Sequence, residues 1–205
     1  GERKIEFRLP VKEDLEAFDK AKSYLYQMNQ NFGSLNLIPV EPTGDYVGRI
    51  NAHYYGCEHW YKMFNSRQLL ALITYVEIIN EAKEKIQAEY EPKETEAIIT
   101  YLALVLDRCV DKNCRLSHLN VTGPKVESAS GQHSLNLMWN YPETNACIRL
   151  WKYQAKSAIS EYNKLCQYTG TQSNSIQLKE LEKYDSKSIQ IDSASADSLF
   201  HIPDN

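Results

Sequence analysis

Apolar residues recur at three- and four-residue steps along most of the chain, and that spacing predicts helices. After Pro10 the set Leu15, Phe18, Ala21, Leu25, Met28 and Phe32 draws one apolar stripe, with Gly33 where a helix stops. Glu13, Asp14 and Glu16 lie in the first turn, where acidic groups complement the helix dipole. An amphipathic helix with one buried face is expected. Residues 34–53 follow as a loop carrying Pro39, Pro42, Gly44 and Gly48, long enough to wrap a surface or span two lobes. A second helix starts at Asn65 or Ser66, both good caps, and runs to the region of Tyr90. Its apolar set is Leu69, Leu70, Ile73, Val76, Ile79 and Ile86, and Pro92 prevents its continuation.

The third helix runs from near Lys93 into the region of Cys114. Residues 97–99 and 101–106 are apolar on every side, which predicts a central helix whose middle is buried all round. Residues 121–132 are rich in Gly, Pro and Ser and read as a mobile loop, while 135–139 alternate briefly and suit an extended stretch. A long fourth helix is expected from near Pro142, whose fixed φ suits a first turn, to just before Gly170. Residues 169–175 form a polar linker, and 188–191 are a short strand candidate ahead of the small residues 193–196. No internal repeat is visible. The pattern is mainly α, with a short β segment at the C-terminal end.

Composition narrows the class. The 205 residues are 42% hydrophobic and 24% charged, which suits a soluble globular chain able to bury a core. The most apolar stretch, 97–106, is about half the roughly 20 residues a membrane span needs. No cationic segment followed by an apolar one opens the chain, so no secretory signal is read. The chain opens on Gly1 rather than Met, as an excised domain would. Net charge is −4, and residues 1–100 hold 12 Lys and Arg against 16 Asp and Glu. A wholly basic nucleic-acid glove is therefore excluded, though a local basic face is not. Cys57, Cys109, Cys114, Cys147 and Cys166 contain no C-x-x-C pair. A zinc site from Cys109, Cys114 and His118 lacks a fourth ligand at any recognisable spacing, so free thiols in a reducing cytoplasm are the simpler reading. The glycosylation triplet at Asn120 carries no weight without secretion.

No G-x-G, P-loop or G-x-S-x-G pattern is present, and His53, His59, His118, His133 and His201 are scattered without a metal-type pair. A self-contained active site is not legible. Residues 54–64 pack aromatics ahead of the second helix, which then carries Arg67 and Gln68 in its first turn. Helix N–H groups attract phosphate there, and Arg and Gln add side-chain donors. The competing reading is an aromatic minicore clamping the helix start, with Arg67 satisfying a buried carboxylate. A second candidate is Arg149, Lys152 and Lys156, at helical steps of three and four and interleaved with Trp151 and Tyr153. A solvated helix face has the same pattern. A third, weaker cluster is Asp107, Arg108, Lys112 and Arg115, where Asp107 with Arg108 reads as a structural charge network.

Three ordered blocks carry a resemblance. Trp60 with residues 64–72 (Phe-Asn-Ser-Arg-Gln-Leu-Leu-Ala-Leu), then 102–108 (Leu-Ala-Leu-Val-Leu-Asp-Arg), then 138–145 (Met-Trp-Asn-Tyr-Pro-Glu-Thr-Asn) resemble the middle of the large adenine-specific DNA methylases of prokaryotes, the group described as containing a zinc ribbon. Asn65-Ser66 stands where Thr-Pro is commoner, Asn140 where Asp is usual, and Pro142 where Ala is usual. Residues 195–199 (Ser-Ala-Asp-Ser-Leu) resemble the short segment ahead of the catalytic loop.

The resemblance implies a mainly α fold, with a helical insert over 1–170 and, over 171–205, a linker and the start of a truncated α/β methyltransferase core. It implies a parent enzyme that moves a methyl group from S-adenosylmethionine to the exocyclic amine of a flipped adenine. The glycine-rich cofactor segment, the Asp-Pro-Pro-Tyr loop and the zinc-ribbon cysteines are absent from this chain. The expectation is an inactive piece that needs no cofactor of its own, is cytoplasmic, has no membrane segment, and contributes grip on double-stranded DNA through Arg67, Gln68, Arg108, Arg115, Arg149, Lys152 and Lys156. Asp192 and Ser195 are expected near the cofactor's adenosine in the intact parent. The competing class is a helical interaction module docking a partner subunit of a DNA-modification or phage-defence complex.

Overall fold

Helix α1 (Lys12–Asn31), α2 (Ser66–Glu89), α3 (Pro92–Lys112) and α4 (Trp151–Thr169) carry most of a computed structural model that describes residues 8–31, 37–44, 52–123, 125–131 and 137–169. The expected 188–191 strand and the 171–205 domain lie outside the described residues. No helix among the described residues is long and apolar enough to cross a membrane.

Each helix begins where its capping chemistry directs. Asp14 accepts the Val11 N–H at 2.8 Å and holds Arg8 at 2.6 Å, so α1 opens on a carboxylate. At α2, the Asn65 side chain accepts from the Gln68 N–H while the Gln68 side chain accepts from the Asn65 N–H, a complete capping box. Pro92 occupies the first turn of α3, where a missing N–H costs nothing. The Tyr90 and Glu91 connection is so short that α2 and α3 are antiparallel neighbours. Arg108 reaches Gln154 and Ser157 while Tyr101 meets Tyr162, so α3 and α4 are antiparallel as well.

The core forms where α2, α3 and α4 meet: Ala71, Leu72, Tyr75 and Ile86 from α2, Ile98, Leu102, Val105 and Cys109 from α3, and Leu150, Trp151 and Ala155 at the fourth helix. Ile98, Leu102, Val105 and Cys109 recur at steps of four, three and four, one helical face. This corrects the expectation that the middle of α3 is buried all round. Leu104 is 49% exposed and Ala103 is exposed too, because α2 and α4 cover α3 on one side only. On α1 the buried stripe is also narrower than its spacing implies. Ala21 is fully buried and Phe18, Leu25 and Met28 are half-buried, but Leu15 is 59% exposed.

The fourth helix corrects a second expectation. Residues 141–145 are not helical despite Pro142; the helix is capped by Asn145, whose Oδ1 accepts the Ile148 N–H at 3.0 Å. A π turn over Ala146–Leu150 leads into α4. The reason is tertiary: Glu143 is drawn to the start of α2, and the buried Tyr75 hydroxyl donates to the Ala146 carbonyl at 2.5 Å. A third correction falls in the segment read as a loop. β1 (His118–Asn120) and β2 (Lys125–Glu127) pair antiparallel, with Leu119 opposite Val126. Their turn is organised by Asn120, whose Oδ1 accepts from the Thr122 N–H, the Thr122 hydroxyl and the Gly123 N–H. Leu137 and Met138 belong to no strand.

Of the long loop, residues 37–44 and 52–53 are described, and the first of these pieces lies against the chain ahead of α2. Thr43 N–H donates to Glu58 O, Trp60 N–H to Glu41 O, and Tyr61 N–H to Pro39 O, laying residues 39–43 against 57–61. Below them a second small core gathers Cys57, Met63, Cys114 and Leu116, flanked by Trp60, Phe64 and Leu137.

Candidate nucleic-acid interface

The end of the bundle where α2 begins and α3 finishes holds much of the candidate chemistry. Arg67 projects from the first turn of α2 and meets Glu143 in two parallel bonds, Nε to Oε2 at 3.0 Å and Nη2 to Oε1 at 3.1 Å. Asn65 Nδ2 donates to the same Oε1 at 2.5 Å and to the Tyr141 hydroxyl at 3.3 Å. The guanidinium also lies 5.3 Å from the centre of the Phe18 ring. One cation thus ties α1, α2 and the 141–145 segment together. Glu143 is held beside the first turn of α2 by side-chain donors.

Gln68, the partner of Asn65 in the capping box, is 1% exposed, and its Nε2 has no hydrogen-bond partner. It faces the interior rather than a nucleic-acid backbone. Arg115 is half-buried: its N–H donates to Met63 O at 2.8 Å and its Nη1 to Lys62 O at 3.0 Å, fastening the chain after α3 to the chain before α2. Arg108 is exposed on α3 and bridges to α4 through Gln154 Oε1 at 3.3 Å and Ser157 Oγ at 2.9 Å. Its neighbour Asp107 faces solvent and forms no ion pair with it, so the expected charge network between the two is not formed, and Arg108 is held by neutral side chains instead. Lys112 sits 4.0 Å from Asp111.

Arg149, Lys152 and Lys156 are different. All three are exposed, and none forms an ion pair or side-chain hydrogen bond with another described residue. Trp151 and Ala155 between them are buried, which turns the three cations outward. Tyr153, on this outer surface, is 58% exposed, whereas Trp151 is in the core against Tyr75 and unable to stack on a base.

Aromatic residues ahead of α2 divide between two roles. Trp60 and Phe64 pack on the small core, but Tyr54 and Tyr55 are exposed, and Tyr55 meets Trp139 edge-on at 5.9 Å between ring centres. Trp139 is itself 80% exposed. His59 is held by Val40 O at 2.7 Å and stacks on Tyr61; His118 lies in β1. His133 and His201, and the side chain of His53, lie outside the described residues, as do Asp192 and Ser195.

Cys57, Cys109, Cys114 and Cys166 are buried free thiols, and Cys147 is half-buried. Burial pushes the Cys109 thiol up to about 12, and burial raises Cys114 too. Cys109 and Cys114 are therefore inert packing groups. Among the described residues no three His, Cys, Asp or Glu side chains are grouped to hold a metal ion.

Two constellations were not legible in the sequence. One is the Asn65, Arg67, Tyr141 and Glu143 clasp, joined across 76 residues: the competing reading offers Arg67 a carboxylate, but nothing in the spacing names Glu143, which is partly exposed rather than buried. The other is Asp111, which accepts from the Ser128 hydroxyl and from Ser130 through its N–H at 3.1 Å and hydroxyl at 2.8 Å, anchoring the chain after β2. Burial pushes the Asp111 carboxyl up, but these hydrogen bonds outweigh it and hold it below its ordinary value. Comparison with protein-family models, curated proteins and solved structures finds no match to this chain.

Proposed function

We propose that this chain is the helical portion of an S-adenosylmethionine-dependent, adenine-specific DNA methyltransferase, cytoplasmic in the parent protein, acting as scaffold and grip rather than as catalyst. The observation that supports it is the meeting of the three resembling blocks. Asn65 and Arg67 of the first block bind Tyr141 and Glu143 of the third, and Leu102 and Val105 of the second share a core with Ala71 and Leu72 of the first. Blocks that interlock are what a common fold requires, so the resemblance is carried by a physical unit rather than by scattered words.

Within this reading Arg67, Gln68, Arg108 and Arg115 serve the scaffold, and contact with the duplex falls to Arg149, Lys152 and Lys156. Exposed cations without acidic partners release counterions when they meet phosphates, so binding is salt-sensitive and independent of base sequence. The chain has no glycine-rich cradle, and the described residues place no carboxylate at the end of a core strand; they do not supply the strand-end site that holds S-adenosylmethionine in such enzymes, and no step of methyl transfer is assigned to them. The cofactor and the flipped adenine belong to the parts of the parent that carry those motifs, and the α/β core beginning near residue 171 is part of the proposal.

The test is a duplex-binding titration over a salt series with the full chain and with Arg149→Ala/Lys152→Ala/Lys156→Ala. Weak binding that fades with salt and is weakened further in the triple variant is expected; binding indifferent to both overturns the DNA role. The exposed pair of Trp139 and Tyr55 favours one second reading, a docking site for a partner subunit, since exposed aromatics anchor protein interfaces. A co-purifying subunit released by Trp139→Ala, without any shift of DNA, selects that reading instead.

A further inference from the structure

A concave groove of about 760 Å³ lies between α1 and the strap of residues 38–43, which is laid against residues 57–61 ahead of α2. Its two walls differ in chemistry. On one side Asp19, Lys22, Ser23, Tyr26 and Gln27 recur at helical steps of three and four, forming one largely polar face of α1 about 12 Å long, with Leu25 beside it. The opposite side is apolar: Ile38 and Val40 from the strap, Tyr61 ahead of α2, and Leu69 within it. This wall is built in place. Tyr61 is fixed by its N–H to Pro39 O at 3.1 Å and is backed by the stacked His59 ring, 5.8 Å away and only 21° from parallel. His59 in turn is bound to Val40 O.

On the polar wall, by contrast, none of Asp19, Lys22, Ser23 and Gln27 has a side-chain hydrogen-bond or ion-pair partner among the described residues. A lined, apolar-sided cavity of about 300–1,000 Å³ with a few converging polar groups is the usual form of a small-molecule site. The groups present also select the molecule. A carboxylate accepting two hydroxyls suits a ribose diol. A carboxamide offers both a donor and an acceptor to the edge of a purine, and a tyrosine ring beside branched aliphatics suits the flat face of a base.

We propose that this groove binds a purine ribonucleoside, with the base against Tyr61, Ile38, Val40 and Leu69, its edge toward Gln27, and the ribose hydroxyls on Asp19. Lys22, one turn along from Asp19, lies where a 5′-phosphate adds an ion pair. The groove shares no residue with Arg149, Lys152 and Lys156, so the inference stands or fails separately from the DNA-binding reading.

The experiment is a two-dimensional NMR titration of the full chain with adenosine, 2′-deoxyadenosine and AMP up to about 10 mM, since a small open site is expected near the millimolar range. Adenosine should shift the amides of Ser23, Gln27, Tyr61 and Leu69 together. Asp19→Asn and Gln27→Ala, both at exposed positions and so leaving the fold intact, should each weaken adenosine about tenfold, and Asp19→Asn should leave 2′-deoxyadenosine unchanged. Tighter binding of AMP, lost in Lys22→Ala, identifies the natural source as a nucleotide; equal binding identifies the nucleoside. No shift at these amides, shifts confined to other regions, or affinity untouched by both variants overturns the proposal.

Discussion

Replacing Glu143 tests whether the Arg67 clasp holds the fold together. Both side chains are 28% exposed, so the pair sits between a solvated ion pair, worth at most about 1 kcal/mol, and a buried one, where losing a partner costs about 3–5 kcal/mol. Its bidentate geometry and the added Asn65 bond place the coupling between Arg67 and Glu143 at about 1–2 kcal/mol. Arg67→Ala also removes the stem and guanidinium that lie against Phe18, so the single change should cost about 2 kcal/mol and lower Tm by roughly 4–8 °C. Glu143→Gln keeps an acceptor for Asn65 and should cost less than Glu143→Ala. The assay is a double-mutant cycle of Arg67→Ala and Glu143→Ala, read by urea unfolding followed by circular dichroism, at low salt and again at about 1 M salt, where screening shortens to about 3 Å. A coupling below about 0.3 kcal/mol, the limit of simple additivity, would refute the strut. So would an Arg67→Ala chain of unchanged stability that no longer binds DNA; Arg67 would then be a phosphate contact.

Three further outcomes follow from the geometry. The Arg149, Lys152 and Lys156 triple variant should lower the salt slope of duplex binding by about 2–3, one counterion-releasing contact per residue, without altering the melting temperature. Leu102→Ala should cost about 2–5 kcal/mol by opening a cavity among Tyr75, Ile98 and Val105, whereas the exposed Leu104→Ala should change stability by less than about 0.5 kcal/mol; equal losses would restore the picture of a helix buried all round. Cys109 is favoured as the neutral thiol in the fold, with its titration pushed up to about 12 from an ordinary 9.0, so its contribution is complete below pH 9 and drains away as pH rises toward 12. Stability measured from pH 7 to 11 should therefore fall more steeply in the parent chain than in Cys109→Ala.

Helix existence was readable because it depends on local spacing and caps. Asn65 with Gln68, and Pro92 after Tyr90, end or begin elements through contacts within four residues, and α2 and α3 fall where those signals put them. What failed depends on partners distant in the chain. Leu104 and Leu102 are the same residue type two positions apart, and only the placement of α2 and α4 leaves one in water. Pro142 is a valid helix start by local rules, yet the Glu143 bonds to Asn65 and Arg67 hold that stretch out of a helix. The β1–β2 hairpin was missed for a related reason: its strands are three residues each, too short to alternate visibly, and its signal is one Asn120 side chain organising a turn. For the candidate site, the spacing identified the outward face of α4 but was silent on which other cations find acids or carbonyls.

That silence separates two kinds of residue which look alike in the sequence. Arg67 and Arg108 lie inside the resembling blocks, and both bind groups from elsewhere in the chain: Glu143, and Gln154 with Ser157. Arg149, Lys152 and Lys156 lie just past the third block and bind nothing described. The π turn over Ala146–Leu150, which itself carries Arg149, governs how they relate. It accommodates an additional residue in one turn, so that Ala146, Leu150, Trp151 and Ala155 all reach the core while the cations among them turn outward. A one-residue change in that turn rotates everything after it by about 100° relative to the core, which either exposes Trp151 or carries Lys152 inward. Burying Trp151 against Tyr75 is the stronger constraint, because an aromatic of that size dominates local packing energy and an exposed lysine contributes almost none. The direction in which the basic face points is thus dictated by the core, and substitutions at the cations can retune grip on a partner without disturbing the scaffold that presents them.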